Sequence, residues 1–161
     1  MRVVCDSSAL IGLTKIGKLD ILKEVFGEVY IPNAVFDEVA SGGRGKPGAK
    51  EILAAKWVRK KAVQDRRTVE ILIAELGHGE AEVLVLGKEM DADLLILDDE
   101  KARAAALSAG FQIIGLVGIL ALAKQLRLIP SVKPLLDELK SKNFRVSDKI
   151  YRAVLKKGGE K

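Results

Sequence analysis

Two short apolar runs in this chain stop on a carboxylate. Arg2-Val3-Val4-Cys5 leads into Asp6, and Leu94-Leu95-Ile96-Leu97 leads into Asp98-Asp99. An apolar run this short reads as a strand buried on both faces, which is the habit of parallel sheets. In open α/β sheets the carboxyl ends of the strands are where ligands bind. The two runs therefore predict an α/β domain that delivers acids to one edge of a mostly parallel sheet.

The remaining pattern agrees with this class, because strand-like and helix-like segments alternate. Residues 2–5 form the first strand, and Ser7-Ser8 opens a helix with Leu10, Ile11 and Leu13 inward. Leu19 to Phe26 is amphipathic and is closed by Gly27. Val29-Tyr30-Ile31 is a strand, and Pro32 starts a helix that runs to about Ala40 and carries Asp37 and Glu38 on its other faces. Ser41 to Gly48 is a glycine-rich loop holding the cations Arg44 and Lys46. A helix over Pro47 to Ala55 follows, then a weak strand over Trp57 to Val63. The charges at Arg59, Lys60 and Lys61 place that strand at a sheet edge. Arg66 to Leu76 is helical, and Gly77-His78-Gly79 breaks the chain before a helix from Glu80 to about Met90. After the second acid-tipped strand come an alanine-rich helix over Lys101 to Ala109, a strand over Phe111 to Ile114 and a buried helix over Val117 to Leu126. Two amphipathic helices fill the tail, and Lys156 to Lys161 is predicted to fray.

With 161 residues, a single domain over 1–161 is expected, with 128–157 as a C-terminal helical extension. The 48% hydrophobic content supports a packed core. The net charge of +5 is compatible with a polyanionic partner such as RNA. The single cysteine, Cys5, permits no internal disulfide and fits a reducing cytoplasm. No apolar stretch approaches the roughly 20 residues that cross a bilayer, so no membrane is expected. A P-loop, a CxxC pair and an HExxH helix are all missing from the sequence.

The acids carry the chemistry. Asp6, Glu38, Glu80 and the Asp98-Asp99 step are candidates for one site. Each has a plain structural reading beside the functional one. Asp6 and either member of the Asp98-Asp99 step serve well as helix N-caps. Glu80 and Glu82 suit the positive end of a helix dipole. Gathered at one strand edge, such carboxylates repel each other unless a cation sits among them. For oxygen-only ligands that cation is Mg²⁺ or Mn²⁺, which suits chemistry on phosphate groups.

These residues also resemble a known family. Asp6-Ser7-Ser8-Ala9-Leu10-Ile11 resembles the opening motif of PIN-domain nucleases. Pro32-Asn33-Ala34-Val35-Phe36-Asp37-Glu38-Val39 is similar to their second motif, and Gly79-Glu80-Ala81-Glu82 to the third in a VapC-toxin-like branch. Leu94 to Arg103 resembles the fourth, and Leu128-Ile129-Pro130 with the tail helices resembles the end of that branch. The resemblance implies a three-layer α/β/α sandwich around a mostly parallel sheet and Mg²⁺- or Mn²⁺-dependent cleavage of RNA. It further implies a homodimer and, for a toxin, a small antitoxin protein that blocks the site. By position, Asp6, Glu38, Glu80, Asp98 and Asp99 become the metal-binding acids, and Ser8 assists by hydrogen bonding. Many family members carry aspartate where Glu80 stands, which changes its reach. Arg44, Lys46 and Arg103 are candidates for RNA phosphates, Arg103 having an alternative partner in Asp99. The rival reading is an RNA- or partner-binding subunit that keeps this fold without cutting.

Overall fold

A computed structural model describes residues 1–42 and 47–161. Five strands make one wholly parallel sheet: β1 (Val3–Cys5), β2 (Val29–Ile31), β3 (Val58–Lys60), β4 (Leu94–Ile96) and β5 (Ile113–Ile114), in the order β3-β2-β1-β4-β5. The expected fold class is therefore present. Strand β1 lies at the centre with all three residues buried, which explains its unbroken apolar run.

Ten helices lie among the described residues. Between β1 and β2 are α1 (Ser7–Lys15) and α2 (Asp20–Phe26), and between β2 and β3 are α3 (Asn33–Gly42) and α4 (Pro47–Ala54). The chain then crosses to the other side of β1 through α5 (Arg66–Leu72) and α6 (His78–Glu89), and continues outward through α7 (Glu100–Ser108) to β5. Helices α8 (Leu116–Gln125), α9 (Lys133–Ser141) and α10 (Asp148–Lys157) complete the chain. Helix α6 packs on β1, β4 and α7, whereas α8 packs on α1 and α2. With right-handed crossovers these contacts give the three layers.

The direction of winding reverses between β1 and β4. That reversal opens a crevice at their carboxyl ends, and Asp6 and Asp98 stand there. The charged strand expected at an edge is indeed the edge strand β3.

Several expected bounds shift: the edge strand spans Val58–Lys60 rather than Trp57 to Val63, the helix from Arg66 ends at Leu72 rather than Leu76, and α6 starts at His78, with Gly77 as its N-cap, rather than at Glu80. The last strand is shorter than Phe111 to Ile114, because the Phe111 amide returns to the Ala106 carbonyl at 3.0 Å and closes α7 over Gly110 at φ +88°. The tail is also docked rather than frayed. Glu160 is held by the Lys124 ammonium at 2.7 Å and by the Val132 and Lys133 amides at 2.9 and 3.0 Å. The cations Arg44 and Lys46 lie outside the described residues.

Candidate active site at the sheet switch point

Asp6 follows β1 directly. Its amide continues the ladder to the Ile96 carbonyl at 3.0 Å, so the residue is fixed against β4. Its side chain is N-cap to α1, with Oδ1 accepting from the Ala9 amide at 3.0 Å. Its Oδ2 accepts from the Asp98 amide at 3.0 Å and so bridges the two strand ends. The helix is thus capped by Asp6 rather than by the serines that follow it. Asp6 is only 2% exposed. Burial pushes its pKa up to about 7; Asp98 and Glu80 push the same way, and the two amides pull it down. Amide hydrogen bonds normally favour the charged form, so here desolvation outweighs them.

Asp98 and Asp99, equivalent in the sequence, are separated by the fold. Asp99 is the N-cap of α7, its Oδ2 accepting from the Ala102 amide at 2.9 Å, and it is exposed. Asp98 turns inward. Its Oδ1 accepts from the Leu116 amide at the start of α8 at 3.0 Å. Its Oδ2 is buried and has no hydrogen-bond partner among the described residues. Burial raises the Asp98 pKa, against the Leu116 amide and the Arg103 charge. A side chain at Gly115 would strike both this carboxylate and the Arg103 guanidinium, each 2.8 Å from the place of a Cβ.

Glu38 projects from α3 and Glu80 from the first turn of α6. Glu38 accepts from the Ser7 hydroxyl at 2.7 Å. The carboxylate lies so close to Gly79 that a Cβ there would overlap it, which gives the glycine of Gly79-Glu80-Ala81-Glu82 a steric reason. Glu80 folds back over Gly77, and its charge reaches Asp6. Ser8 is half-buried in the same turn as Ser7, but the hydroxyl that meets an acid is that of Ser7. Arg103 donates to the Leu97 carbonyl at 2.9 Å rather than pairing with Asp99. Its charge bears on Asp98 instead.

The structure brings Asp6 and Asp98 into direct contact, with Glu80 near enough to perturb Asp6 and Glu38 on the adjoining helix. Among the described residues, no three acidic, histidine or cysteine side chains form a ready-made cation cage. Asp6, Glu38 and Asp99 each accept from a donor supplied by the fold. Asp98 Oδ2 is different. A buried carboxylate oxygen without a donor is costly, and a hard divalent cation is the partner such an oxygen fits. The donor set is all oxygen, as Mg²⁺ or Mn²⁺ requires.

Two features were missed from sequence. Ser7 lay beside the serine singled out, and only the turn geometry separates the two. Glu82 is 4% exposed and accepts from the Ala34 amide at 3.0 Å and from Arg66 at 2.7 Å. Its two donors thus come from α3 and α5. Beside Glu38 opens a groove of about 600 Å³ lined by Asn33, Ala34, Asp37, Glu38, Val63, Arg66, His78 and Glu82.

A search of curated proteins returns no match. A family model described as a PIN domain matches residues 2–160, nearly the whole chain and all the acids above. The protein belongs to the PIN-domain family.

Proposed function

We propose that this chain is a divalent-metal-dependent endoribonuclease that hydrolyses RNA phosphodiester bonds. PIN domains are generally nucleases that use divalent metals, and the acids at the β1/β4 crevice fit that chemistry. The observation that carries the reading is Asp98 Oδ2, buried beside Asp6 without a donor among the described residues. In this reading Asp98 is the principal ligand, Asp6, Glu38 and Glu80 complete the set, and Asp99 contributes mainly as a helix cap. A bound Mg²⁺ or Mn²⁺ supplies Lewis-acid polarisation of the phosphodiester and an acidified water. The protein's own part is to hold and aim the acids. Asp6 is fixed by two amides, Glu38 is oriented by the Ser7 hydroxyl, and Ser8 takes the water-orienting role. Arg103, with Arg44 and Lys46 from the segment between α3 and α4, contacts substrate phosphates.

The finer reading is the toxin of a toxin–antitoxin pair, a cytoplasmic homodimer silenced by a small protein. A binding subunit without catalysis is the second reading, favoured by the lack of a three-acid cage among the described residues.

An RNA oligonucleotide assay in Mn²⁺ and in EDTA separates the two. The wild-type chain is expected to cut only with metal. Asp98→Asn, which keeps an acceptor for the Leu116 amide, is expected to lose at least about 100-fold in rate, more than the loss of outer-shell partners. Equal cutting by both proteins, or RNA retention with no cutting, contradicts the nuclease reading.

A further inference from the structure

Glu82 is a buried carboxylate that the metal reading leaves unused. It stands on α6 two residues after Glu80, and its Oε1 accepts from the Ala34 amide in the first turn of α3. Ala34 lies one turn before Glu38 on the same helix face. Its Oε2 takes the Arg66 guanidinium from α5, so one side chain ties three helices together. Helices α3 and α6 also pack directly on each other, with Glu38 seated in the space left by Gly79.

We propose that Glu82 is a positioning residue that sets the placement of the Glu38 carboxylate against Glu80, and through it the affinity of the site for a divalent cation. The inference rests on the reading that these acids hold metal. Removing Glu82 frees the first turn of α3, and Glu38 moves with that turn. The charge of Glu82 is compensated by Arg66, half-exposed on the groove beside Glu38. A buried carboxylate without that partner is strongly unfavourable. The two Glu82 oxygens are engaged by α3 and α5 rather than by the β1 and β4 strand ends that hold Asp6 and Asp98, which separates this role from direct ligation.

The test uses the full chain and two readouts. Amide hydrogen exchange at Ala34 is measured without metal, and Mn²⁺ affinity is measured by titration calorimetry. Protection of Ala34 from exchange and Mn²⁺ affinity are both expected to fall in the order wild type, Glu82→Gln, Glu82→Ala, with the alanine variant binding Mn²⁺ roughly tenfold or more weakly. Glutamine retains one acceptor and restores part of both. Unchanged Mn²⁺ affinity in Glu82→Ala overturns the proposal. So does a glutamine variant that loses Mn²⁺ while Ala34 stays protected, since that result marks a ligand. Should the alanine variant not fold, glutamine against wild type decides by the same criterion. A wild-type chain that takes up no Mn²⁺ overturns the metal reading itself and this inference with it, whatever the exchange rates.

Discussion

The two ends of α8 treat a carboxylate in opposite ways. At its start, Asp98 accepts the Leu116 amide with one oxygen, and the other is buried without a donor among the described residues. At its last turn, Lys124 donates to Glu160, whose oxygens also receive the Val132 and Lys133 amides. The pKa directions follow. Burial raises Asp98, and its amide bond and Arg103 do not compensate. Burial also pushes Glu160 upward, but Lys124 and the two amides outweigh it and hold the group below its usual range. A carboxylate the fold needs is surrounded by donors. At the sheet crevice Asp98 is left one donor short among the described residues, and the proposed cation is assigned to that oxygen.

Three perturbations sharpen that contrast. The largest concerns the strained end. In metal-free protein, folded Asp6 keeps its proton up to about 7, whereas an ordinary aspartate loses it near 3.8. Between those pH values the folded state binds more protons than the unfolded state, so stability falls as pH rises and levels off above the folded value. The Asp6 contribution to this fall is about 4 kcal/mol. Melting in EDTA from pH 4 to 8, wild type against Asp6→Ser, isolates it. Serine still caps α1, and the wild-type minus variant difference should decline with pH. A flat difference breaks the contrast.

Glu160→Ala acts at the satisfied end. Three donors lose their acceptor, and a cost of about 1–3 kcal/mol is expected in denaturant unfolding. Because the folded pKa is lowered, this contribution is present above the unfolded value, near 4.5, and is lost as pH falls below it through the folded value. Cleavage per folded molecule should be unchanged.

The smallest effect separates neighbours. Asp99→Ala is expected to cost about 1 kcal/mol as a lost N-cap, with Asp99→Ser recovering most of it. The serine variant should cut RNA near the wild-type rate. A larger loss of activity in Asp99→Ser than in Asp98→Asn reverses the assignment of the two acids.

Much of the sheet edge was legible in the sequence because a buried parallel strand leaves a plain mark. Val3-Val4-Cys5 and Leu94 to Leu97 are apolar on both faces, and the acids after them must stand at the carboxyl end. What separates Asp98 from Asp99 is not periodic. Asp99 caps α7 by a bond three residues long, whereas Asp98 is held by Leu116, eighteen residues on. Glu160 was read as part of a frayed end because its partners, Lys124 and Val132, are distant and carry no local pattern. Glu82 looked like a second ordinary helix acid for the same reason. Its donors, Ala34 and Arg66, belong to two other helices. Local signals placed the elements, and long-range hydrogen bonds sorted the acids into those that build and those held in reserve.

The central claim concerns a cation at Asp98, and calorimetric titration with Mn²⁺ near neutral pH addresses it without any substrate. The account predicts that wild type, Asp99→Ser and Glu160→Ala bind alike, while Asp98→Asn binds at least about 100-fold more weakly, beyond the span for outer-shell partners. Wild-type affinity in Asp98→Asn, or no uptake of Mn²⁺ by any of the four proteins, would contradict it.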